Sequence, residues 1–182
     1  MSTHLVVMGV SGTGKSTVAK ALQERLGWPF AEGDDLHPAS NVAKMAAGIP
    51  LEDADRWPWL DVIAAWTSGQ AAEGNSTIVT CSALRRAYRD RIRTAADGTV
   101  FVHLVGSREL LAERMGAREG HFMPSSLLAS QLDTLEPLEA DEPGIVVDVA
   151  GTTEAIVDKV LGDLRFGPFW PPDGPRDVSD LV

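Results

Sequence analysis

The chain has 182 residues, 44% of them hydrophobic, which suits one ordinary core and is short for two. Its net charge of −10 lacks the basic excess by which a nucleic-acid groove shows itself, and no run of about 18 apolar residues is present to span a membrane. One cysteine, Cys81, permits no internal disulfide and fits a reducing cytoplasm.

The N-terminal "MSTHLVVMGV" has no basic leader region and reads as a first strand, His4–Met8, rather than a signal peptide. Gly9-Val10-Ser11-Gly12-Thr13-Gly14-Lys15-Ser16 follows and fits G-x-x-x-x-G-K-[ST] at every fixed position. A helix over Ser16–Leu26 comes next, so the motif sits between strand and helix as a phosphate-binding loop must. Glycines let the backbone curl until several N–H groups point inward at phosphate oxygens, and the helix adds its positive dipole end. The candidate cradle is Gly9, Ser11, Gly12, Thr13, Gly14, Lys15, Ser16 and Thr17. Lys15 supplies a point charge for the β- and γ-phosphates, and the Ser16 hydroxyl is a ligand for Mg²⁺. The motif implies nucleotide binding and nothing narrower.

A weaker strand, Trp28–Ala31, ends in "EGDDLHP". Acidic residues at the C-terminal end of a parallel strand face the crevice where ligands bind. Asp34 is placed to take a proton from a substrate hydroxyl or to orient it. Glu32, two residues earlier, points the same way on an extended chain and is a candidate for holding Mg²⁺ through water. The bland alternative for both is a polar turn, which Gly and Asp favour. His37 is either a hydrogen-bond partner for a polyol or carboxylate, or a loop cap before Pro38.

In "NVAKMAAGIPLEDADRWPWL", charged residues alternate with apolar ones, and two tryptophans and two prolines predict a stiff, well-packed lobe. Lys44 and Arg56 are its candidates for gripping an anion; taken singly, each reads rather as a surface charge. Trp59, Val62, Ile63 and Trp66 then follow a helical spacing within Arg56–Gln70. Further strands are expected at Thr77–Cys81, Val100–Val105 and Gly144–Val149. Helices are expected at Ala83–Arg93, Arg108–Ala117, Ser125–Leu135 and Thr153–Leu164, the last capped by Thr152 or Thr153. Strands alternating with helices predict an α/β fold, a parallel sheet of about five strands covered on both faces. The proline-rich tail after Gly167 cannot continue a helix. It is either loosely held or packs Phe169 and Trp170 onto the domain or a second subunit.

The P-loop, "GDDLHP", "NVAKMAAGIPLEDADRWPWL", "CSALRRAYRDRIR" and "GHFMPSSLLASQLDTLE", in this order, resemble the gluconokinase family. The resemblance covers about Leu5 to Val149 and implies a three-layer αβα P-loop kinase fold, akin to shikimate and nucleoside monophosphate kinases, with a mobile lid. It implies a single kinase domain over 1–167, a substrate lobe near 35–70, a lid near 114–126 and a tail over 168–182. The activity implied is ATP-dependent phosphorylation of D-gluconate at its 6-hydroxyl, with Mg²⁺, in a cytoplasmic homodimer that engages neither nucleic acid nor membrane. Asp34 would be the base or hydroxyl-orienting residue, and His37, Lys44 and Arg56 would line the sugar-acid site with Arg85 or Arg89. An Arg fork suits carboxylate geometry. Arg86, Arg91 and Arg93 read as solvated.

In related kinases a segment such as "ERMGAREGHFM" closes over ATP, which assigns Arg114 to the base and Arg118 to the phosphates; the alternative is a charged surface helix. His121 and Phe122 would seat the lid, with Gly116 and Gly120 as hinges. Two features depart from the family or from P-loop proteins generally. Asp35 is not demanded by the family pattern. The strand ending in "CSA" carries no Walker-B aspartate, so Mg²⁺ falls to Ser16, ATP oxygens and waters. Ser82 reads as a helix cap and Cys81 as a small buried hydrophobe. Two other functions fit parts of the pattern: a P-loop kinase of another small acid or polyol, shikimate-like, and a nucleotide-binding module without turnover.

Overall fold

The computed structural model describes residues 2–47, 49–117 and 125–166. Strands β1 (His4–Met8), β2 (Phe30–Ala31), β3 (Thr77–Thr80), β4 (Thr99–Val105) and β5 (Gly144–Asp148) form one parallel sheet in the order β2-β3-β1-β4-β5. Helices α1 (Lys15–Leu26), α2 (Ala39–Ala46), α3 (Asp53–Ala72), α4 (Arg86–Arg93), α5 (Arg108–Gly116), α6 (Ser125–Thr134) and α7 (Thr153–Phe166) connect and flank them. From β1 the chain runs to the β2–β3 side of the sheet and later returns to β4 and β5 on the other. The C-terminal end of β1 therefore opens on the crevice where the winding reverses.

Alternate residues of each strand feed two cores. Leu5, Val7, Ile78, Val100, Val102 and Leu104 pack under α1 and α7, through Val18, Leu22, Ile156, Val157 and Val160. Val6, Met8, Val79 and Phe101 face the other way, under Trp59, Leu60 and Ile63 of α3 and Tyr88 and Ile92 of α4. Both sheet faces are thus covered, which is why the strands read as continuous apolar runs rather than alternating ones. Among the described residues no helix is long and apolar enough to cross a membrane.

Several boundaries differ from expectation. The second strand is only Phe30–Ala31. The lobe contains a helix, α2, that the Ala-, Pro- and Gly-rich composition concealed, and it is not well packed on all sides. Asn41 is its one buried residue, and Val42, Met45 and Ile49 lie exposed. Helix α3 begins at Asp53, not Arg56, because Glu52 and Asp55 form a reciprocal capping box there. Helix α4 begins at Arg86, not Ala83. Ala83 has φ 45°, a left-handed conformation that a helix start cannot use and that costs a non-glycine residue strain.

That turn is held by Arg89, which corrects its assignment to the acceptor site. Arg89 is fully buried. Its Nε and Nη2 donate to the Glu142 carboxylate at 2.6 and 2.9 Å, and Nη1 donates to the carbonyls of Ala83 at 3.2 Å and Glu136 at 2.9 Å. Nη2 also reaches Pro137 O at 3.1 Å. No donor direction is left for a ligand, and Arg85 remains as the arginine of that pair. Nor is Arg86 simply solvated: it bridges Asp90, Glu139 and Asp141, and its bonds to Asp141 and Asp90 hold its pKa above the ordinary guanidinium value. Together the two arginines clamp the chain between α6 and β5 onto α4.

Removing one partner of a buried pair strands the other charge. Glu142→Ala is therefore expected to lower stability by about 3–5 kcal/mol in urea denaturation. A pH effect comes from His103 on β4. Its Nε2 is buried without a hydrogen-bond partner among the described residues. Burial first, then the Arg89 charge, push its pKa down to about 4. The folded chain thus keeps His103 neutral while the unfolded chain protonates it near 6.5. Stability from this group is complete above pH 6.5 and falls by about 3 kcal/mol as pH drops to 4. Denaturation between pH 7 and 4 should show a shallower decline in His103→Leu than in the parent chain.

Candidate active site

Between β1 and α1 the chain turns through Gly9, Gly12 and Gly14 at φ 138°, 88° and 82°. Two of these also lie against backbone. A Cβ on Gly9 would stand 2.5 Å from Leu104 O, and one on Gly12 2.9 Å from Leu111 O. Thr13 Oγ1 and Lys15 Nζ donate to Val10 O at 2.9 and 3.1 Å, which closes the loop on itself. Gly14 caps α1 without a side chain, so the first-turn N–H groups are left for a ligand anion. The Ser16 hydroxyl, on the first turn of α1, has no hydrogen-bond partner among the described residues. No cluster of three or more His, Cys, Asp or Glu side chains suited to a metal occurs among them. Ser16 offers a hard oxygen of the kind that suits a divalent cation.

The acidic segment after β2 is not extended. It forms a 3₁₀ turn over Gly33–Leu36, so the expectation that Glu32 and Asp34 point the same way fails. Glu32 instead accepts a hydrogen bond from the Thr80 hydroxyl. Gly33 N–H donates to Thr80 Oγ1 at 2.9 Å, and Trp59 Nε1 donates to Gly33 O at 2.7 Å. A Cβ on Gly33 would lie 1.9 Å from Thr80 O. Only glycine allows this turn to sit on the end of β3, and β3 pairs directly with β1, which carries the cradle. Asp34 follows, exposed at the rim.

Electrostatics place the remaining groups. The buried Cys81 thiol, just past β3, is pushed up to about 12 by burial first; the Asp34 charge adds to this, while Lys15 and Arg56 oppose it. All three charges therefore lie within electrostatic reach of Cys81, just past the end of β3. His37 stacks on Trp59 with centroids 4.1 Å apart, and its Nδ1 pairs with Asn41 Nδ2 at 3.2 Å. Burial holds its pKa below the ordinary value; Asp34 raises it and Arg56 lowers it. Asp34 and Arg56 thus both act electrostatically on His37.

Lys44 is not a spare cation. Its ammonium donates to both Asp55 oxygens at 2.7 Å, and this pairing is the main reason Asp55 titrates below the usual carboxylate range. Arg85 Nη1 meets Asp53 Oδ2 at 3.0 Å. Arg56 donates only to Leu51 O, at 3.4 Å, and has no carboxylate partner among the described residues. Arg114 Nη2 donates to Val149 O at 2.8 Å, which places it beside the 149–153 segment. Arg118, His121, Phe122 and Gly120 lie outside the described residues.

Sequence reading missed four participants. Thr80 resembles any strand threonine, and nothing local ties it to Gly33. Tyr88 and Asp53 sit in the quoted motifs but meet only in three dimensions. Gln131 Oε1 accepts from Ser11 N–H at 2.7 Å, joining α6 to the cradle; its signal was its place in "SSLLASQLDTLE".

A family model described as "AAA domain" matches residues 5–138. The chain is 54% identical over 160 residues to a gluconokinase of Gluconobacter oxydans (strain 621H), covering 88% of each chain. Among solved structures it is similar to an unliganded sugar kinase from Janibacter sp. HTCC2649, at 50% identity and a TM-score of 0.86 over 92% of this chain and 97% of that one. It is also similar to a gluconokinase from Sinorhizobium meliloti 1021, at 50% identity and a TM-score of 0.81 over 89% and 91%.

The close approach at residue 33 has a measurable consequence. Gly33→Ala should destabilise the fold by about 1–3 kcal/mol in urea denaturation, because the clashing atom is backbone and cannot step aside.

Proposed function

The chain belongs to the gluconokinase family, and from that premise we propose how its residues carry out ATP-dependent phosphorylation of D-gluconate at the 6-hydroxyl. The observation that carries this reading is the Gly33–Thr80 contact, which sets the acidic turn beside the strand next to the phosphate cradle.

The backbone N–H groups of the loop and α1 hold the β- and γ-phosphates, with Gly9, Ser11, Gly12, Thr13, Gly14, Ser16 and Thr17 as the cradle. Lys15 neutralises charge on the transferring group. Ser16 would hold Mg²⁺ brought in with the nucleotide, and the ion when bound would supply further neutralisation of phosphate charge. Asp34 accepts the proton as the 6-oxygen attacks the γ-phosphorus. One O–P bond forms, the bond to the bridging oxygen breaks, and ADP leaves. His37, Arg56 and Arg85 line the acceptor side. Lys44 acts through Asp55, holding the start of α3 and with it Arg56. Arg114 lies on the base side, and Arg118 meets the phosphates from a lid near 114–126 that excludes water.

The domain layout belongs to the same proposal: one kinase domain over 1–167, a substrate lobe near 35–70 and a separate tail over 168–182. So does a cytoplasmic homodimer without nucleic-acid or membrane partners. The exposed Val42, Met45 and Ile49 suit a protein contact.

An ADP-release assay with gluconate, other sugar acids, shikimate and no acceptor tests the substrate; release with another acid alone would move the assignment to that acid. Tight ATP binding without turnover on any acceptor would leave a nucleotide-binding module. Lys15→Ala is expected to abolish turnover. Asp34→Asn should cut kcat about 10²–10⁴-fold while ATP affinity stays near the parent value. Loss of ATP affinity with kcat retained would assign Asp34 to the metal.

A further inference from the structure

Tyr88 of α4 is almost fully buried, yet no step above uses it. Two cations lie within reach of its ring. The Arg56 and Arg85 guanidinium carbons lie 5.9 and 5.8 Å from its centroid, within cation–π range. Its hydroxyl donates to Asp53 Oδ1 at 2.5 Å, while Asp53 Oδ2 accepts from Arg85 at 3.0 Å. Trp57 meets the ring edge-on, centroids 5.4 Å apart at 81°, and fixes its plane.

Two guanidiniums on one ring repel each other. Here the ring's negative faces and one carboxylate offset that repulsion. The carboxylate is already shared between Arg85 and the phenol, so the group as a whole keeps one positive charge. Arg56, without a carboxylate of its own among the described residues, carries it toward His37 and Asp34.

We propose that Tyr88 and Asp53 are positioning residues that hold Arg56 and Arg85 as a paired receptor for the carboxylate of the acceptor, so that this end of the site selects an acid. The inference rests on gluconate being the acceptor. Tyr88 touches neither the reacting hydroxyl nor the phosphates; it acts through the arginines. These residues, far apart in the chain, meet because α3 and α4 pack in one core: Asp53, Arg56 and Trp57 come from one, and Tyr88 from the other, with Arg85 at its start.

The test is a double-mutant cycle on the full chain, read by calorimetric titration with gluconate and with ATP. Tyr88→Phe keeps the ring and removes the bond to Asp53. It should weaken gluconate binding about 5–10-fold with ATP affinity unchanged, and raise KM for gluconate by a similar factor while kcat falls less than about threefold. Arg85→Ala should weaken gluconate binding at least as much. In the Arg85→Ala background, Tyr88→Phe should cost less than about twofold, because the residue it positions is gone. Equal costs in both backgrounds would mean that Tyr88 contributes packing alone and would overturn the proposal. So would unchanged gluconate affinity in either single variant. Tyr88→Leu, checked for a cooperative melting transition, removes the ring as well and should weaken gluconate further than Tyr88→Phe. A parent chain that binds ATP but not gluconate would instead refute the acceptor assignment on which this rests.

Discussion

The site depends on one steric constraint, the approach of Gly33 to the end of β3. Thr80 presents its carbonyl where a Cβ would have to go and its hydroxyl to the Gly33 N–H. That contact brings a turn from one connection onto a strand contributed by another. Because β3 lies directly against β1, the acidic turn and the glycine loop share one crevice. Trp59 locks the same turn from above through Gly33 O and stacks on His37, so helix α3 is fixed to the turn that it covers. A phosphate cradle occurs in many folds; here an acidic turn lies beside it.

Charge is distributed to serve this crevice. The chain carries a formal charge of −10, yet the groups around Cys81 include Lys15 and Arg56. The surplus carboxylates occupy cations elsewhere. Glu142 takes the buried Arg89, Asp141 and Glu139 take Arg86, Asp61 takes Arg91, and Asp55 takes Lys44. Most of these pairs are exposed and contribute little stability. These pairs engage Arg86, Arg91 and Lys44, whereas Arg56 has no carboxylate partner among the described residues. The Arg89–Glu142 pair differs because it is fully buried. It ties the left-handed turn at Ala83 to the segment before β5, and so holds the approach to Arg85.

Much of this was legible in the chain. The P-loop declares itself because its constraints are local: positive φ at glycines, a strand before and a helix after. Four of the five strands were visible as apolar runs, since both faces of the sheet are buried there; the short, half-buried β2 gave a weaker one. Boundaries failed where a side chain from elsewhere decided them. Nothing around Ala83 announces a left-handed residue, because the carbonyls there are held by Arg89 and the segment near Glu136. The capping box at Glu52 and Asp55 was readable in principle, but its glutamate cap is not the usual Ser, Thr, Asp or Asn. The arginines were the hardest case. "ALRRAYRDRIR" offers five similar cations, and composition cannot tell a buried clamp from a ligand.

The sequence by itself determined the phosphate grip, the parallel α/β plan and the family, because these rest on residue types at fixed short spacings. Only the tertiary structure decided which cations remain available to a substrate. It also decided where the acidic turn sits, because those outcomes depend on contacts between residues some fifty positions apart, such as Gly33 with Thr80 and Arg89 with Glu142. No local pattern encodes the partner in such a contact; the packing of the sheet does.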